Sequence, residues 1–202
     1  MMIIWKSIKY PTNLLLVCLL VSSCGQSDYT KLVKSELAKG VRQDSILLGI
    51  NLGDTRDEYY GRCFALNKLH LLSDGGGGFA EYIFKDSLVH QKATPIRFLI
   101  KPNFDNKDSL AEMVMQLSYA GWSPTSVSHQ SDSLMAKTKK LLKEWYGGND
   151  FISVKLDSID VPVKLDGNRR ILIYKLNPQV VQVRVQDILH PIFQHSITKE
   201  SK

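Results

Sequence analysis

Val161-Pro162-Val163-Lys164-Leu165-Asp166-Gly167-Asn168-Arg169-Arg170-Ile171-Leu172-Ile173-Tyr174-Lys175-Leu176, followed past Asn177-Pro178 by Val181-Gln182-Val183-Arg184-Val185-Gln186, sets the fold class. Val161–Leu165 and Arg169–Leu176 are rich in β-formers and flank Asp166-Gly167-Asn168, a strong hairpin turn signal. Val181, Val183 and Val185 then alternate with Gln182, Arg184 and Gln186, the pattern of a strand with one buried face. Antiparallel pairing is therefore expected, with one side of the sheet covered.

Upstream, Leu134, Leu141 and Trp145, with Met135, Leu142 and Tyr146, form the stripe of a helix over Asp132–Tyr146. Gly147-Gly148-Asn149 stops it, and a short strand at Phe151–Leu156 is open in the loop that follows. Further back, Ile46–Gly53 leads into Asp54-Thr55-Arg56-Asp57-Glu58, where Thr55 and Glu58 have capping-box spacing. Tyr59, Cys63 and Leu66, with Tyr60, Phe64 and Leu71, recur at helical intervals, although Gly61 costs that helix about 1 kcal/mol relative to Ala. Phe79–Lys85 and Ile96–Lys101 read as strands. In Leu110–Tyr119 the alternation of Ala111, Met113, Met115, Leu117 and Tyr119 favours strand over helix. The expectation is an α+β fold of two tandem helix–strand–strand–strand units, residues 46–124 and 125–190, with a tail at 191–202. Neither half-sheet buries enough alone, so the units are expected to pack together as antiparallel sheets with helices on one face.

The N-terminus carries an address. Lys6 and Lys9 precede the apolar run Leu14–Val21, eight residues long and far short of the roughly 20 that cross a bilayer. Small residues follow, completing the order of a secretory signal over residues 1–23. Leu20-Val21-Ser22-Ser23-Cys24-Gly25 resembles the bacterial lipobox. That resemblance implies that the Cys24 thiol is acylated, that Cys24 becomes the first mature residue, and that the lipid anchors the chain to a membrane. Gly25, where an Asp would imply inner-membrane retention, implies the outer membrane, facing the periplasm. The polar stretch 24–45 then reads as a tether, with a short helix at Lys31–Lys39.

Removing residues 1–23 from 202 leaves 179, enough for one domain or two small ones. A hydrophobic content of 44% and a charged content of 23% are globular values. The net charge of +6 falls to about +4 without Lys6 and Lys9, too little to argue for nucleic acid. Of the 3 cysteines, Cys18 leaves with the signal and Cys24 carries lipid, so Cys63 has no disulfide partner and reads as a small buried hydrophobe.

Candidate chemistry is thin. Asp74-Gly75-Gly76-Gly77-Gly78 lacks the Lys-Ser/Thr ending of a phosphate loop and follows a helix, so it reads as a flexible connection. His70, His90, His129, His190 and His195 have no metal-ligand spacing. Asp54, Asp57 and Glu58 are explained by capping, and Asp157, Asp160 and Asp166 by turns, leaving no acid–base pair. No nucleophile elbow is present. Lys137, Lys139, Lys140 and Lys143 cluster on the second helix, and Trp122 sits in a Gly/Ser/Pro loop. Trp122, Lys137 and Lys140 are the candidate partner contacts.

Gly49–Glu58 resembles the helix entry of β-lactamase-inhibitor-like domains, including the small lipoprotein of the outer-membrane barrel assembly machinery. This implies a helix against a short antiparallel sheet. Gly121-Trp122-Ser123-Pro124, Glu144-Trp145-Tyr146-Gly147 and Asp166–Arg170 resemble uncharacterised bacterial lipoproteins, a likeness that carries no activity. The functional expectation is a non-catalytic binding or assembly module without a cofactor, membrane-anchored through Cys24, with an envelope protein as partner. The alternative is an inhibitor or small-ligand-sequestering lipoprotein, which would show a concave apolar pocket between the two units.

Overall fold

A computed structural model describes residues 27–85, 94–156 and 158–194. Its longer α-helices among the described residues are α1 (Asp28–Ala38), α2 (Arg56–Lys68) and α3 (Ser131–Tyr146), with a 3-10 turn at Val127–His129 before the last. Strands β1 (Ser45–Leu47) and β2 (Ile50–Asn51) form a small hairpin before α2. After α2 come β3 (Ser73–Gly76), β4 (Phe79–Phe84), β5 (Ile96–Phe104) and β6 (Leu110–Tyr119). After α3 come β7 (Ile152–Leu156), β8 (Ile159–Asp166), β9 (Arg169–Lys175) and β10 (Val181–Asp187).

These eight strands make one antiparallel sheet in the order β3-β4-β5-β6-β10-β9-β8-β7. The α+β class is as expected, but the strands do not form separate sheets. Each set of four folds back so that its last strand faces the other, and β6 pairs with β10 from Leu117↔Val181 to Glu112↔Gln186. The seam puts Met113, Met115 and Leu117 beside Val185, Val183 and Val181, all buried. An edge-to-edge join costs less exposed backbone than two four-stranded sheets, which would each leave two open edges.

The core lies on both faces. Ile171 and Ile173 of β9 join the cluster that contains Tyr59 and Leu66 of α2 and Leu134, Leu141 and Leu142 of α3. Leu172, between them, points the other way into a second cluster with Val161, Val163 and Leu165 of β8 and Tyr29 and Val33 of α1. So α2 and α3 cover one face, while α1 covers the β7–β9 end of the opposite face. Helices on one face only is corrected by this. Residues 27–45, within the expected tether, belong to the fold, because α1 has Tyr29 and Val33 to bury.

Polar groups fasten α1 in place. Glu36, 4% exposed, accepts from Asn149 Nδ2 at 2.8 Å, from Gly167 N at 3.0 Å and from Lys39 Nζ at 2.5 Å. Burial opposes its ionisation, but these donors together hold its carboxyl below the ordinary value. Beside it, fully buried Lys164 donates to Asp166 Oδ2 at 2.5 Å and to the Asn149 carbonyl at 2.7 Å. At the other end of α1, Arg170 donates to Tyr29 Oη at 2.8 Å and to Gln186 Oε1 at 2.9 Å.

Gln186 in turn donates to Glu112, which also receives Arg184 through Nε at 2.6 Å and Nη2 at 2.9 Å, and Asn103 at 2.7 Å. Glu112 is 3% exposed; desolvation resists its charge, and the donors outweigh it, so its pKa lies below 4.5. A carboxyl whose folded pKa is depressed stabilises the fold fully above its unfolded pKa and loses that contribution as pH falls through the folded value. Glu112→Gln is expected to lower unfolding free energy at pH 7 by about 3 kcal/mol, because Arg184 loses its counter-charge. Urea titrations across pH should show that gap closing below the ordinary carboxyl pKa of 4.5; a gap constant down to strong acid would contradict it.

Candidate functional site

Helix α2 begins as the sequence requires. Thr55 caps it, with Glu58 N donating to Thr55 Oγ1 at 3.3 Å and Thr55 N donating to Glu58 Oε2 at 2.8 Å. Its apolar residues then point two ways. Tyr59 (2% exposed) and Leu66 (9%) face the sheet, while Tyr60 (54%) and Phe64 (62%) stay in solvent. Leu69 and Leu71, past the helix end, are exposed as well. A surface helix needs one apolar stripe, so the second is surplus to packing.

That surplus flanks a concavity. Two adjoining hollows, of about 430 Å³ and 290 Å³, lie between α2 and the β3–β4 hairpin. They share Tyr60 and Cys63 from α2, Ser73 and Asp74 from β3, and Ala80 from β4. Phe64 and Asn67 line the larger hollow, Phe79 and Pro102 the smaller. Strand β3 is the sheet edge, with no neighbour on its outer side among the described residues. Gly75 keeps this hairpin flush, since a Cβ there would stand 2.7 Å from Leu99 Cδ2. The sequence reading of Asp74–Gly78 as a flexible connection is corrected: Ser73 and Asp74 pair with Glu81 and Ala80.

Cations sit on the rings around the groove. Lys68 Nζ lies 4.4 Å from the Phe64 centroid and Lys101 Nζ 5.4 Å from that of Phe79. Arg56 lies 4.5 Å over Phe104 and pairs with Asp108 at 2.8 Å. Cys63 is half-buried, and burial pushes its thiol above the ordinary value while the Tyr59 hydroxyl pulls the other way. A thiol raised in this manner is held protonated and is a poor nucleophile. The groove therefore offers shape, apolar surface and cations over two of its rings.

The residues singled out from sequence lie elsewhere. Trp122 is half-buried in the β6–α3 connection, its indole N–H enclosed without a hydrogen-bond partner. Lys140 is exposed and loosely paired with Glu144 at 3.8 Å, and Lys137 is half-buried. None of the three lines the groove. Lys143 is spent on Asp150 at 2.7 Å and the Gly148 carbonyl at 2.6 Å. Cys24 and His195 lie outside the described residues. His190 contacts Asp105 at 2.9 Å, which ties the C-terminal turn to the β5–β6 connection. Among the described residues no three His, Cys, Asp or Glu side chains are grouped to hold a metal.

Comparison with known proteins found no matching family model, no matching curated protein and no matching solved structure.

The two stripes of α2 predict opposite outcomes on substitution. Phe64→Ser should leave the unfolding free energy within about 0.5 kcal/mol. Tyr59→Ala should lower it by about 3–5 kcal/mol. Chemical denaturation of both variants checks this, and equal losses would mean that Phe64 belongs to the core.

Proposed function

We propose that this chain is a non-catalytic binding module, lipid-anchored through Cys24 to the outer membrane and facing the periplasm. The observation that carries the binding part is the open apolar groove beside α2, where Tyr60 and Phe64 remain more than half exposed and no described residue covers them. The anchoring part rests on Leu20-Val21-Ser22-Ser23-Cys24-Gly25 and the charged and apolar regions before it. A single acyl chain anchors marginally, and the several chains a lipobox implies hold far more firmly.

The placement of α1 supports a division of labour. Three residues lie between Cys24 and Asp28, the first of α1, a reach of at most about 14 Å over four Cα–Cα steps. The end of the sheet under α1 is thereby held close to the lipid. The groove lies on the opposite face, and β4 is five strand spacings from β8, roughly 24 Å. A partner at the groove is clear of the bilayer, which favours an envelope protein over lipid as its occupant. We read residues 46–124 and 125–190 as two units of one design, each a helix followed by strands, fused edge to edge at β6 and β10.

Cys24→Ala is the test of the anchor. The variant should move from the membrane to the soluble fraction or accumulate as unprocessed precursor. Retention on the membrane with unchanged processing would overturn it.

A further inference from the structure

We infer that the groove between α2 and β3 receives an extended, acidic segment of a partner protein, which adds to the sheet as a further strand. The inference rests on the binding-module reading and names the chemistry of its partner. The two hollows form a groove between α2 and the hairpin whose outer strand, β3, is the free edge of the sheet among the described residues, with Ala80 of β4 and Pro102 of β5 also in its lining. A peptide entering it meets backbone hydrogen-bonding groups on one side and side-chain pockets on the other. Here the edge is β3 and the pocket wall is Tyr60, Cys63 and Phe64 of α2. In an extended segment alternate side chains face the same way, so every second residue would enter the hollow.

Charge selects an acidic segment. Lys68 and Lys101 lie over Phe64 and Phe79, rings that line the two hollows, and neither lysine makes an ion pair with a described residue. Asp74 is the single carboxylate of the lining, and it accepts from Gly76 N at 2.9 Å. Aromatic or branched residues in the hollow, with carboxylates reaching Lys68 and Lys101, complement what the groove displays. A basic segment would bring like charges against both lysines.

Cys63, half-buried on the groove wall, reports occupancy once raised pH converts its thiol to the reactive thiolate. The full-length protein in detergent solution is treated with N-ethylmaleimide, and alkylation of Cys63 is followed by mass spectrometry. The probes are an acetylated heptapeptide alternating Glu with Phe or Val, the same peptide with Lys for Glu, and dodecanoate. The acidic peptide in excess should slow alkylation by about tenfold and the basic one should not. Phe64→Ser should weaken the acidic peptide by about tenfold, and Lys68→Glu with Lys101→Glu should transfer the preference to the basic peptide. Equal protection by both peptides, protection by neither, or protection by dodecanoate alone would overturn the inference. The anchor is judged by fractionation of Cys24→Ala, so failure of one leaves the other readable.

Discussion

Everything in this fold hangs on the pairing of β6 with β10. Among the described residues it is the only join in the sheet order between the strands that follow α2 and those that follow α3, and it brings Glu112 beside Gln186 across 74 positions of chain. Its register is fixed from both sides. On the face under α2 and α3, Met113, Met115 and Leu117 meet the three valines of β10. On the other face, Glu112 takes both Arg184 and Gln186. A slip of one residue would turn Glu112 into the apolar core and the valines out of it, so the wrong register is excluded twice over. Contacts of such sequence separation form slowly, because loop closure precedes their reward, and folding of the two halves is expected to precede their union.

The ionic groups under α1 obey the same logic. Lys164, Asp166 and Glu36 are each less than a tenth exposed and would be expensive singly. They are tolerable because each finds partners: Lys164 in Asp166 and a carbonyl, Glu36 in two neutral donors and a lysine. An apolar trio of similar volume would stabilise as well or better, so the gain lies in placement. Only one seating of α1 brings Glu36 to the Gly167 N–H and Tyr29 to Arg170.

The strands were legible where periodicity was strong. The alternation of Val181–Gln186 and the methionine alternation before Tyr119 each became a strand, and the Asp166-Gly167-Asn168 turn joins the hairpin expected of it. Strand β3 was not legible, since Ser73-Asp74-Gly75-Gly76 has almost no intrinsic β preference and is held by β4 and by the lack of a side chain at Gly75. The docking of α1 was hidden for a different reason: its stripe is short, and its fastening depends on Asn149, Gly167 and Arg170, more than a hundred residues away. Trp122 drew notice for its composition alone, yet its ring is folded partly into the molecule. Half of the groove stood in the sequence as the second stripe of α2. The other half is the edge of β3, and without that strand Tyr60 and Phe64 are two exposed rings on a helix.

Why that stripe persists is a question of competing demands. Scattered exposed apolar residues are normal on a protein surface, but Tyr60 and Phe64, each more than half exposed, line one concavity. Stability alone gives no reason to keep them, because α2 already buries Tyr59 and Leu66. Solubility argues against them, and an open strand edge alongside compounds the hazard. The chain answers with charge: Lys68 lies over Phe64 and Lys101 over Phe79, two of the rings that line the concavity, so each of these carries a hydrated cation that discourages a second apolar surface from settling there. The same cations favour an occupant that brings carboxylates of its own. On the proposed binding of an acidic segment, protection against indiscriminate contact and selection of a particular one fall to the same side chains, which is one physical reason to pair aromatic with basic residues at this end of the sheet.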